Sequence, residues 1–170
     1  MNFTTREWWA LIHGMGFGAL FLLAFAGGLA GLYSLRPELV TVAGVNERMR
    51  RLKVGVVAMA LAAWGTVITG TWIVYPWYRE AIPSSPKSKL LASSSTSDWH
   101  EFGMEWKEHI AWISPILATA VAFIVVYYGT NLIRHDRVRR TAMVLFVLSF
   151  ATALVAGAFG AFITKVAPVK

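Results

Sequence analysis

Four apolar runs, each long enough to cross a bilayer, constrain this chain more than any other feature of it; they fall at about 8–34, 53–77, 106–133 and 140–164. About 20 helical residues cross a hydrocarbon core of roughly 30 Å. A chain of 170 residues has no soluble core large enough to absorb all four. Lipid offers no partner for free backbone groups, and no alternating barrel pattern is present, so the spans are predicted to be helices. The expected fold is all-α, an integral membrane four-helix bundle forming one transmembrane domain over 1–170.

Composition agrees with that class. Hydrophobic residues make up 56% of the chain and charged residues only 15%, outside the usual balance for a soluble domain. A net charge of +7 is compatible with a nucleic-acid partner, but the basic residues flank apolar runs instead of forming a soluble stripe. No nucleic acid is expected, and membrane lipid is the first partner. The absence of cysteine excludes disulfides, thiolate metal sites, iron–sulfur ligation and thioether-linked haem. A redox cofactor would have to be held by histidine or methionine, or without covalent bonds.

Basic residues near the span ends set the expected orientation. Arg36, Arg48, Arg50, Arg51 and Lys53 follow the first span, and Arg134, Arg137, Arg139 and Arg140 follow the third. This face is read as cytoplasmic, which places both termini outside a cell (inner or plasma) membrane. The opposite face dilutes its cations with Glu7, Glu80, Asp98, Glu101, Glu105 and Glu108. Arg6 is offset by Glu7 and the first run is far longer than a signal-peptide core, so that span is expected to stay in the mature protein.

Tryptophan repeats the asymmetry. Trp8, Trp9, Trp72, Trp77, Trp99, Trp106 and Trp112 fall near the outer face and only Trp64 lies deep in a span. An interfacial aromatic belt accounts for part of this bias; walls of a cofactor or quinone pocket are the alternative, with Trp112 a candidate. The outer loop, about 78–105, is turn-rich in its Pro- and Ser-containing middle and is not a catalytic domain.

Two histidines sit just inside span starts at this same face: His13 in Ile12-His13-Gly14-Met15-Gly16, and His109 in Trp106-Lys107-Glu108-His109. An ionisable group within a span is by default a functional-site hypothesis. Neutral imidazole ligates haem iron, and facing helices of a bundle can fill both axial positions. The alternatives are quinone contact, proton transfer and structural hydrogen bonding. Gly14, Gly16 and Gly18 leave space where a porphyrin could approach, although such residues also serve helix packing, as Gly27 and Gly31 are expected to do.

Glu105 lies four residues before His109, so a helix puts them on one face. Glu105 and Glu108 are candidates for accepting protons from a quinol. His100 is read as a loop residue that can replace one ligand, with Met15 and Met104 behind it. Arg79, with Tyr75 and Tyr78 beside it, suits a carboxylate such as a haem propionate. His135 is read as solvated. No Rossmann glycine pattern and no P-loop is present.

A histidine near the outer end of the first span, Tyr75-Pro76-Trp77-Tyr78-Arg79 closing the second and Lys107-Glu108-His109 opening the third resemble small four-helix membrane proteins of the b-type cytochrome kind. The chain departs from two-haem members, since neither histidine-bearing span has a second histidine near its cytoplasmic end. The resemblance implies one haem b at the outer side, ligated by His13 and His109. It implies a subunit that moves electrons between the quinone pool and an extracytoplasmic cytochrome or other redox subunit, within a larger complex. A haem-free quinone-binding or structural anchor subunit is the alternative.

Overall fold

The computed structural model describes residues 3–168. Among them, four helices are long and apolar enough to cross a membrane: α1 (Thr5–Ser34), α2 (Val42–Tyr78), α3 (Ser94–Arg134) and α4 (Asp136–Val166). No strand occurs among the described residues. The protein is a multi-pass, all-helical chain.

Local chemistry fixes the helix starts. Thr4 caps α1 through a reciprocal box with Glu7, whose amide donates to Thr4 Oγ1 at 3.2 Å while the Thr4 amide donates to the Glu7 carboxylate at 2.8 Å. Thr41 caps α2 by accepting from the Gly44 amide. The regular part of α3 ends at Tyr128 because Gly129 adopts φ of +51°, a conformation that disfavours residues with a Cβ.

The chain between α2 and α3 is shorter and more ordered than the sequence suggests. A helix at Pro86–Leu91, capped by Ser85, occupies its middle, and α3 already begins at Ser94. Ser93 supplies that start by accepting from the Ser95 amide. The serine run therefore opens a helix, because hydroxyls that compete with the backbone inside helices favour caps.

α1 packs on α2, α2 on α3 and α3 on α4, and the ring closes where α4 meets α1. Leu32, Leu35, Val56, Met59, Val121, Val125 and Phe146 form the buried centre. Phe25 stacks on Phe150 with ring centroids 4.1 Å apart, joining α1 to α4. Outside this core the helices present Leu23, Leu61, Phe123 and Leu154, all exposed. An apolar exterior of that extent suits lipid and not water.

Of the two glycines expected at close approaches, Gly31 is found there and Gly27 is not. A Cβ on Gly27 would meet nothing within 4 Å, whereas one on Gly28 would lie 2.7 Å from the Phe146 ring and one on Gly31 3.1 Å from Leu52. The packing pair on α1 is Gly28 and Gly31, because the helix is rotated to turn Gly27 outward.

The basic residues gather where α1 ends, α2 begins, α3 ends and α4 begins. Arg139 is the buried member of that group: it donates to the Leu35 carbonyl at 2.9 Å, closing the open C-terminus of α1, and pairs with Asp136.

Candidate functional site

The other end of the bundle, where α1 and α3 begin and α2 and α4 finish, carries the candidate site. Three single-turn π-helical stretches interrupt the long helices there: Ile12–Gly16 in α1, Gly70–Val74 in α2 and Trp99–Met104 in α3. Such turns are rare and are concentrated at functional sites. The one in α2 has a covalent cause. Pro76 has no amide to offer the Trp72 carbonyl and its ring crowds that carbonyl, so the turn widens just before it. Pro115 has the same effect on α3 at Ala111–Trp112, where the helix loosens into a turn.

His13 lies in the first π turn and packs against the second. Its Nδ1 is 3.2 Å from Thr69 Oγ1, and Gly70 has room for the ring only because it lacks a Cβ, which would stand 2.8 Å from His13 Cε1. Thr69 in turn donates to the Gly65 carbonyl at 2.7 Å. A hydroxyl that donates to a backbone carbonyl has its lone pairs left, so the Thr69 oxygen accepts from His13 Nδ1.

His109 has the same internal arrangement but faces elsewhere. Its Nδ1 donates to the Glu105 carbonyl at 2.7 Å, and the side chain is exposed. Helical geometry explains the direction. Residues two apart on a helix point to nearly opposite sides, and Lys107 is the one turned toward α4, with Nζ 3.0 Å from the position a Gly160 Cβ would take. The structure therefore does not bring His13 and His109 to one shared space: one is held against α2, the other looks outward from α3. Among the described residues no contact joins the two rings, and each is held through its own Nδ1.

The residues the structure does bring together are those flanking His109. Arg79, at the end of α2, donates to Glu105 at 2.6 Å and to Glu108 at 3.2 Å, both on α3. The Tyr75 hydroxyl donates to the other oxygen of Glu108 at 2.7 Å. The Arg79 guanidinium also lies 4.8 Å from the Tyr75 ring centroid. One arginine and one phenol thus hold two carboxylates across the α2–α3 seam. Arg79 Nε is buried with no partner among the described residues, an orphaned donor at the centre of the group. Arg79, read from the sequence as a propionate partner, is here occupied by the chain's own acids.

His100 is not a loop residue. It lies in the π turn of α3, is buried, and bonds through Nδ1 to the Tyr78 hydroxyl at 2.9 Å. The correction follows from the early start of α3. Met104 is buried and Met15 exposed.

A Cβ added at Gly16, Gly14 or Gly18 would meet nothing within 4 Å, so none of the three serves a close helix contact. The tryptophans mostly join helices. Trp112 meets Trp64 and Trp72 edge to face, with centroids 6.2 and 6.1 Å away, and Trp106 meets Phe159. Trp64 donates to Thr119 Oγ1 at 3.0 Å. Trp72 is exposed and lies three residues before Tyr75 on α2. His135, at the far end, packs edge-on against Tyr128.

Sequence reasoning missed the π turns, the inward lysine and Thr69. Pro76, four residues beyond Trp72, was the available signal for one turn; nothing in the sequence marks the other two. Compared with protein-family models, curated proteins and solved structures, the chain matches none. What is defined at this point is a class, a multi-pass membrane protein of four apolar helices with a charged, irregular cluster at one end.

Proposed function

We propose that this chain is a membrane subunit of a quinone-linked redox complex, working at the end of the bundle that carries the π turns, which we read from the distribution of basic residues as the extracytoplasmic side. The observation that carries the reading is Glu108: a carboxylate on a membrane helix, part-exposed, paired with Arg79 and oriented by the Tyr75 hydroxyl. Such a group can take the proton that a quinol must lose when it is oxidised. Glu105, on the same arginine, accepts the second, and the Trp72 and Trp112 rings offer flat apolar surface to the quinone head. The described residues are almost all taken up by the four long helices and the short segments joining them, so the two electrons would leave to another subunit or an extracytoplasmic redox partner.

Tryptophan fluorescence tests this on the purified chain in nanodiscs. Titration with a short-chain quinone is expected to quench a fraction of the emission saturably. Only linear, unsaturable quenching, as from partitioning into lipid, would remove the quinone from the account.

A haem b subunit is the second reading, favoured by His109, an exposed imidazole held through Nδ1 by the Glu105 carbonyl. His109, exposed on α3, would hold such a haem together with a residue of another subunit. The haem would supply one-electron transfer there. This reading expects a low-spin b-type signal in the reduced-minus-oxidised spectrum of the assembled complex that His109→Ala abolishes and His13→Ala leaves. A complex with no such signal rejects it.

A further inference from the structure

At the same end of the bundle lies a part-open cavity of about 300 Å³ whose walls, among the described residues, carry Arg6, Lys89 and Lys107 but no acid. Arg6 is already paired with Glu80 and sits beside the Trp77 ring. Lys89 is exposed. Lys107 differs from both: it is part-buried, and among the described residues it has neither a hydrogen-bond nor an ion-pair partner. Its neighbour Glu108 turns the other way, to Tyr75 and Arg79.

The fold makes room for this ammonium group. Lys107 reaches from α3 to α4, and its Nζ stands 3.0 Å from where a Gly160 Cβ would be, so the glycine is what lets the side chain lie there. A part-buried ammonium at the end of a membrane bundle with no ion-pair partner is costly. The cavity also has an apolar side, built from Val74, Trp77 and Ile163, and a hydroxyl in Thr164.

We propose that this cavity binds a headgroup-sized anion, a phosphate or carboxylate, with Lys107 as its counter-ion and the apolar wall receiving the first carbons of an attached chain. That chemistry belongs to the headgroup of an anionic lipid and equally to a small free anion. The proposal does not rest on the quinone reading, because Arg79, Glu105 and Glu108 do not line the cavity.

Thermal unfolding of the full chain in neutral detergent provides the test, with short-chain phosphatidylglycerol as one probe and inorganic phosphate as the other. Phosphatidylglycerol is expected to raise the Tm saturably, and Lys107→Gln to weaken that response by at least about tenfold in concentration. Lys107→Arg should largely keep it. Saturation by inorganic phosphate as well identifies a free anion as sufficient; a response to the lipid alone identifies the headgroup on its tail. An equal response in Lys107→Gln, or no saturable response to either probe in the wild type, overturns the proposal. If Lys107→Gln does not fold, Gly160→Ala, which crowds Nζ, must weaken the lipid response, and an unchanged response likewise overturns it.

Discussion

Replacing Glu108 by Gln is expected to lower quinone affinity on the order of tenfold, and to slow quinol oxidation in the assembled complex by about a hundredfold or more. The two effects have different origins. Gln keeps an acceptor for the Tyr75 hydroxyl, 2.7 Å away in the wild type, so the shape of the site survives and only a charge-assisted contact is lost, worth about 1–2 kcal/mol. The proton, however, has no place to go on an amide, and loss of a positioned base typically costs about 10²–10⁴ in rate. Stability should barely change. Arg79, Glu105 and Glu108 have side chains 34%, 43% and 24% exposed, and solvent screening limits such a pair to about 1 kcal/mol. Measuring quinone affinity, turnover and Tm on the same preparation separates the roles: a Tm that collapses while affinity per folded molecule stays constant would make the cluster a helix fastener only.

The largest effect on folding is expected at Gly28. A Cβ there would lie 2.7 Å from two atoms of the Phe146 ring and 3.7 Å from Val56, so three helices meet at this point. Phe146 is fully buried and leans on Phe25 at 5.3 Å, which leaves its ring no direction to yield. Gly28→Leu should therefore cost about 3 kcal/mol or more, and Gly28→Ala about 1–3 kcal/mol before an offset of roughly 1 kcal/mol from better helix propensity. Gly27→Leu, one residue away and open, should leave stability nearly unchanged. Unfolding in mixed micelles decides between them; equal losses at both positions would show that α1 is rotated differently.

That contrast also explains why some features were legible in the sequence and others were not. Hydropathy alone places four spans, since lipid leaves a long apolar run only one backbone solution. Rotation about the helix axis is different, because every face of a lipid-embedded helix is apolar and carries no polar stripe to orient it. Gly27 and Gly28 are therefore indistinguishable before packing is known. His109 and Lys107 present the same problem: both are polar, two residues apart, and only one can face inward.

The cluster was legible by residue type and not by pairing. Tyr75, Arg79, Glu105, Glu108 and His100 all stand out as ionisable or hydroxyl groups near one membrane face. Their partners depend on α3 starting at Ser94, which turns the stretch around His100 from a loop into helix and buries His100 itself. Serine-rich segments read as turns by composition, although Ser93 and Ser85 both act here as caps. The π turns at Ile12–Gly16 and Trp99–Met104 have no proline behind them, so they reflect tertiary packing and leave no sequence mark.

Photolabelling reads out whether a quinone binds at the α2–α3 seam beside Glu108. The purified chain in nanodiscs is irradiated with an azidoquinone, and the labelled peptides are mapped by mass spectrometry. The account predicts label concentrated on 72–79 and 101–112, displaced by excess unlabelled quinone and lost in Glu108→Gln. Label spread over the lipid-facing residues of all four helices, such as Leu23, Phe123 and Leu154, with no displacement by competitor, would contradict it.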